Sequence, residues 1–336
     1  MKFQVHKAFT PLFEDDWDSL LNESITNVPF LRYGYMQKWW QTRGGGEWHE
    51  GSLTLMLAYE DDQIIGVAPF FESEYQGKQS LLFVGSFNIS DYLDFIVKPA
   101  HLQDFLSGLL NFLIMKEGTV WQSIVLYNLL EYSPTITLLE KLTKHLNIPL
   151  QIEELEPAPY IPLPSNWETY LARLNKKQRH EIRRKAHRAE ENAQLLHWYI
   201  FQDQCSLETE IEAFLTLMAQ DETKSTFLTD LMRDQMNSTL KWAFNKDILQ
   251  LSFLEINGEK AAGYFCFDYH NRIWVYNSGF DSRFREFSPG WVLLRYLIQW
   301  AIENGRDVFD LMRGGEAYKY RFGAIDRQVV KATINL

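Results

Sequence analysis

The sequence predicts an α/β (α+β) protein of two tandem units, each a mixed, mostly antiparallel sheet flanked by helices. Three observations carry this. The chain has 336 residues, more than a single hydrophobic core comfortably organises, so two domains are the prior. Four of its eleven prolines fall in Pro157-Ala158-Pro159-Tyr160-Ile161-Pro162-Leu163-Pro164, a stiff segment that cannot continue a helix and resists central-strand pairing. On either side of it one plan recurs, in which helices lead to strand-like runs joined by tight turns, then a helix and a further strand. The expected division is 1–156 and 157–336.

In the first unit, Phe30 to Trp40 reads as an aromatic helix stopped by Gly44-Gly45-Gly46. Leu53 to Tyr59 and Ile64 to Glu72, joined by Glu60-Asp61-Asp62-Gln63, are strand-like, and Ser80 to Val84 completes a meander before Gly85. After Asp91-Tyr92-Leu93-Asp94 a short strand ends at Pro99. A helix over Gln103 to Lys116, a strand over Ser123 to Tyr127 and a helix over Thr135 to His145 follow. In the second unit, Ser165-Asn166-Trp167-Glu168 reads as a capping box opening one helix, and Asn175-Lys176-Lys177-Gln178 as the cap of the next. Helices over Glu208 to Ala219 and Asp230 to Phe244 precede Leu249 to Ile256 and Lys260 to Tyr269, two runs flanking Asn257-Gly258, a strong hairpin signal. His270-Asn271-Arg272 turns into Ile273 to Asn277, a helix spans Gly290 to Asn304 before Gly305, and Val308 to Leu311 is a strand.

Composition narrows the function classes. Hydrophobic residues make up 46% and aromatics 15%, ample for sizeable cores and against disorder. A net charge of −11 argues against DNA or an anionic membrane held across the whole surface. The two cysteines, Cys205 and Cys266, build no disulfide framework or thiolate metal site, and the eight histidines lack metal-ligand spacing. Metal-free chemistry is therefore expected. With no signal-peptide core and no apolar run long enough to span a bilayer, the expected location is the cytoplasm.

The candidate chemistry lies in the last sixty residues. A strand running into Arg285-Glu286-Phe287-Ser288-Pro289-Gly290 and then an apolar helix would present free backbone N–H groups to a phosphate, with small residues permitting close approach. Arg285, Ser288 and Gly290, with Trp291 beside them, are the candidate donor-binding residues, and a phosphate-bearing donor such as acyl-coenzyme A is expected. The same residues also suit an ordinary turn capped by Ser288 with Pro289 in the first helical turn. Beyond the next strand, Asp310, Arg313-Gly314-Gly315-Glu316 and Tyr318-Lys319 carry groups that acyl transfer needs. Lys319 or a backbone N–H would meet the oxyanion, Tyr318 would donate a proton to sulfur, and Glu316 or Asp310 would accept the amine proton. No activated nucleophile is evident, so direct attack in a ternary complex is expected. Between Arg173 and Arg188 lie eight Lys or Arg and a single acid, Glu181. Helical spacing puts Lys177, His180, Arg184, Lys185 and Arg188 on one broad face, suited to a polyanion or, equally, to a solvated surface.

These motifs resemble the CelD/BcsL-type branch of the GNAT acyltransferase superfamily, two tandem GNAT-like domains as in the Fem peptidoglycan aminoacyltransferases. The resemblance rests on Val67-Ala68-Pro69-Phe70 leading to Gly85 and Ser90-Asp91-Tyr92-Leu93-Asp94, on the basic helix Lys176 to Arg188, and on Ser288-Pro289-Gly290 with Asp310, Gly314-Gly315-Glu316 and Tyr318-Lys319. It implies a degenerate first domain and a catalytic second one. It also implies acyl transfer from acyl-coenzyme A to an amine or hydroxyl of a sugar, amino acid or cell-envelope or exopolysaccharide precursor. Asp91, Asp94, Lys177, Arg184 and Arg313 are the candidate acceptor-binding residues. Ser288 stands where the superfamily usually has glycine, which leaves two alternatives: a Fem-like aminoacyltransferase using aminoacyl-tRNA, and a non-catalytic binding protein of the same fold.

Overall fold

The computed structural model describes residues 1–115 and 121–336; Lys116, the expected end of one helix, lies outside them. Two compact units emerge, residues 1–156 with 328–336, and residues 157–327.

The first unit contains β1 (Lys2–His6), α1 (Glu14–Asn22), α2 (Tyr33–Gly46), β2 (Ser52–Glu60), β3 (Gln63–Tyr75), β4 (Lys78–Phe83), β5 (Ile96–Val97), α3 (Leu102–Met115), β6 (Ser123–Leu130), α4 (Pro134–Leu146) and β7 (Leu150–Pro157). Its sheet runs β1-β2-β3-β4-β6, then the chain's last strand, then β7, with β5 paired to β3. Helix α2 ends where Arg43, Gly44, Gly45 and Gly46 all take positive φ, which unwinds the turn and frees the chain to enter β2. The β2–β3 turn places Asp61 and Asp62 at φ 46° and 62°, the left-handed pair that matches strand twist. Phe70 and Phe83 stack at 5.4 Å against Phe95 in the core.

The second unit contains β8 (Tyr160–Pro162), α5 (Trp167–Arg173), α6 (Lys176–Asn192), β9 (Leu196–Ile200), α7 (Leu207–Met218), α8 (Glu222–Phe227), α9 (Asp230–Asn245), β10 (Leu249–Ile256), β11 (Glu259–Tyr269), β12 (Arg272–Phe280), α10 (Pro289–Glu303), β13 (Val308–Asp310) and α11 (Ala317–Arg321). Its sheet order is β8-β13-β12-β11-β10-β9. Asn166 rather than Ser165 caps α5, accepting from Thr169 N, which corrects the expected capping box by one residue, and Asn175 with Gln178 forms a reciprocal capping box on α6. Asn257 and Gly258 both take positive φ at the β10–β11 turn. Leu254, Tyr264 and Cys266 of the sheet and Leu293, Leu297 and Ile298 of α10 are joined in one buried core.

Each unit follows a three-strand antiparallel meander with a helix and then a strand parallel to the third, β6 beside β4 and β13 beside β12. β8, which contains Pro162, lies at the edge of the second sheet, where a missing N–H is tolerated. One expectation is corrected. The final strand, β14 (Gln328–Asn335), pairs antiparallel with β6 and completes the first sheet rather than the second. Its apolar alternation marks a strand, but its partners lie about two hundred residues upstream and leave no local signal.

Candidate active site

The site grows from an unfinished strand pair. β12 pairs with β13 only through Arg272, Ile273 and Trp274. β13 stops at Asp310, while β12 runs on to Phe280, so Val275 to Phe280 have no strand beyond that edge among the described residues. A bulge at Tyr276, where Asn277 faces Phe265 and Val275 faces Cys266, turns the strand at the opening. The loop after β13 and helix α11 stand opposite.

The turn into α10 has an unusual backbone. Ser288 takes φ 55° and ψ 53°, makes no side-chain cap bond, and precedes Pro289 at the first helical position. That left-handed conformation is why glycine is common at such a place, and Ser288 adopts it at some cost. The first intrahelical bond runs from Val292 N to Ser288 O at 3.0 Å, so Gly290 and Trp291 are left with orphan N–H donors. A β-carbon built on Gly290 meets nothing closer than Phe280 Cδ1 at 3.9 Å. Neither dihedral strain nor packing against the protein requires glycine there. Arg285 is exposed one turn earlier.

Tyrosines join this turn to the loop opposite. The Tyr264 hydroxyl donates to Gly290 O at 3.3 Å and bonds with Ser278. Tyr318 lies close enough to Tyr264 and Cys266 to feel both, and burial, followed by Glu316 and Cys266, pushes its phenol well above the ordinary tyrosine range. Among the described residues its hydroxyl has no hydrogen-bond partner. The ring of Trp291 packs on Phe322 at 4.6 Å, and Lys185 Nζ stands 3.7 Å above the Trp291 ring. Lys185 thus turns from the other cations of α6 toward the turn into α10, correcting its expected place on the open face; burial draws its pKa down against the pull of Glu181.

Two expected catalytic groups have other duties. Asp310 is fully buried and paired with Arg327 and, at 3.5 Å, Arg272, and it also accepts from Met312 N at 3.1 Å. A carboxylate so committed is no proton acceptor for substrate. Lys319 is 2% exposed, and its ammonium donates to the carbonyls of Met312 (3.0 Å), Arg313 (2.7 Å) and Gly314 (2.9 Å) while pairing with Glu316 at 2.9 Å. Its protons organise the loop rather than meet an oxyanion. Lys319→Met is expected to cost about 3 kcal/mol of stability, since charge-assisted bonds contribute roughly 1.5–3 kcal/mol each; the denaturation midpoint checks this. Glu316, with its side chain 57% exposed, remains open to solvent beside Tyr318.

The expected acceptor residues divide. Asp94 is 1% exposed, and Thr26, Ser133, Thr135 and the Phe95 N–H all donate to its carboxylate. It ties helix α4 to its own loop and has no surface for an acceptor, which corrects that expectation. Asp91 is likewise buried, 8% exposed. Arg313 is half-buried in the loop after β13. Lys177 and Arg184 stand on the open face of α6, where Lys176, Lys177, Arg179, His180, Arg183, Arg184 and His187 line a groove of about 900 Å³.

Lys224 and Ser278 meet at this strand edge and were not singled out in sequence. The first lies fifty-four residues from its partner strand, and nothing local in Glu222 to Phe227 marks a functional group.

A family model for the acetyltransferase (GNAT) domain matches residues 176–320. FemX matches with a TM-score of 0.67 and 11% identity, over 99% of this chain and 97% of that one. L-PGS from Bacillus licheniformis matches at 0.59 and 10% identity, over 98% and 93%. The C-terminal domain of a putative lysylphosphatidylglycerol synthetase from Agrobacterium fabrum matches at 0.57 and 10%, over 95% and 90%. No curated protein matches the sequence. The chain shares its two-unit fold with these structures, and the match to the acetyltransferase (GNAT) domain lies within its second unit. The matched residues 176–320 carry α6, the turn into α10 and the Tyr318 loop. Among the described residues no helix is long and apolar enough to cross a membrane, and no cluster of metal ligands forms.

Proposed function

We propose that the protein transfers an acyl group from acyl-coenzyme A to an amine, or a hydroxyl, of a sugar, amino acid or cell-envelope precursor, as its CelD/BcsL-type motifs imply. The observation that carries this reading is Gly290, a glycine that the protein's own backbone and packing do not need. Its value is to an outside group approaching the two orphan N–H donors, and a pyrophosphate is the group that such a turn attracts. The thioester would then lie along the open edge of β12, with Tyr318 near the sulfur. Tyr318 enters the reaction protonated and donates to the departing thiolate, while the exposed Glu316 carboxylate takes the acceptor's proton through water. Tyr318→Phe is expected to lower kcat about 100-fold with unchanged coenzyme A affinity, read by steady-state kinetics and calorimetry.

Calorimetric titration with coenzyme A and acetyl-coenzyme A at low and moderate salt tests the donor directly. Saturable binding supports the reading; no binding sinks it. One observation favours a second reading, in which the donor is an aminoacyl-tRNA. Lys176, Lys177, Arg184 and Arg188 extend from α6 with no carboxylate in ion-pair range among the described residues, and line or border an open groove. Affinity for tRNA that falls steeply with salt would move the assignment there.

A further inference from the structure

Lys224 occupies a place in the acyl-transfer site that no motif announced. It projects from α8, capped by Asp221, immediately after α7 ends. That junction is pressed onto β12, because a β-carbon on Gly279 would collide with the backbone of Leu217 and Met218. The ammonium donates to Asn277 Oδ1 at 3.0 Å and to the Ser278 carbonyl. Both acceptors lie on the stretch of β12 that β13 does not reach, one and two residues beyond the bulge. Ser278 in turn bonds with Tyr264, whose hydroxyl reaches Gly290 O, so Lys224, the donor turn and Tyr318 share one small neighbourhood. Burial draws the Lys224 pKa down, opposed by Asp221 and Glu316. Two of its three N–H donors are spoken for and one remains.

On the coenzyme A reading above, we propose that Lys224 is a catalytic residue that supplies the positive charge met by the acyl carbonyl oxygen as the acceptor attacks. Lys319, the residue expected for this role, spends its protons on its own loop; Lys224 holds a free one at the open strand edge. The acceptor nitrogen bonds to the carbonyl carbon and the C=O electron pair moves onto oxygen, opposite Lys224. The pair returns as the C–S bond breaks; sulfur takes the Tyr318 proton, and the nitrogen loses its proton to Glu316. An ammonium held in place by a strand needs no reorganisation as that charge develops.

The test uses the full chain, with acetyl-coenzyme A as donor and hydroxylamine as a small amine acceptor, hydroxamate being measured above the uncatalysed rate. Lys224→Met is expected to bind coenzyme A within about 3-fold of the unaltered protein and to turn over about 100-fold more slowly or worse. Lys224→Gln keeps donors for Asn277 and Ser278 but carries no charge, so it separates the cation from a mere staple; it is expected to be equally slow. Turnover of the folded Gln variant within about 3-fold of the unaltered protein overturns the proposal. Failure of the unaltered protein to bind coenzyme A is a distinct result that overturns the donor reading and this assignment with it.

Discussion

Gly290→Val is expected to weaken coenzyme A binding more than 100-fold while leaving the melting temperature unchanged or slightly raised. The two halves of this result have separate causes. The added methyls point at open space, since the nearest protein atom to a β-carbon there is Phe280 Cδ1 at 3.9 Å. Valine also loses less backbone entropy than glycine in a helix, a difference of a few tenths of a kcal/mol. Binding suffers because a pyrophosphate must come within hydrogen-bond reach of the Gly290 and Trp291 N–H groups, and branched methyls stand in that path. Calorimetry with coenzyme A and a thermal melt on the same sample separate the effects. Full affinity in a folded variant would refute the donor turn.

Asp310→Ala is expected to destabilise the protein by about 3–5 kcal/mol, the usual cost of orphaning a buried charge. The Arg327 guanidinium is 5% exposed and would lose its buried carboxylate partner, and the Met312 N–H would lose an acceptor. Those contacts set the start of the loop that Lys319 then gathers, so the damage should reach Tyr318 by loosening its support. Thermal unfolding with kinetics on Asp310→Asn discriminates. A general base replaced by its amide would leave the melting temperature native and lower kcat alone; a structural carboxylate lowers stability first.

Legibility in the sequence followed the range of the interactions. The Asn257-Gly258 turn and the Asn175 cap of α6 depend on two to four neighbouring residues, so residue type alone located them. The turn into α10 was legible for the same reason, although the left-handed backbone of Ser288 was not. Asp94 looked like a loop carboxylate free for substrate; its four donors arrive from Thr26, Phe95, Ser133 and Thr135, three of them distant in sequence. Lys319 misled because a lysine in a glycine-bracketed loop after a strand reads as a cation available to an oxyanion. Its burial depends on three carbonyls turned inward by Met312 and Gly314 at positive φ. Lys224 gave no signal, because its role is a tertiary contact with β12.

Strand β14 closes the first sheet between β6 and β7, and this order imposes a schedule on synthesis. A ribosome completes every residue of the second unit before it makes Gln328, so during that interval β6 and β7 present bare strand edges, the kind that recruit stray strands. The second unit can fold as it emerges, whereas the first, though made earlier, finishes later. Deleting residues 328–336 would hold the chain in that interim state, with an aggregating first unit beside a folded second one.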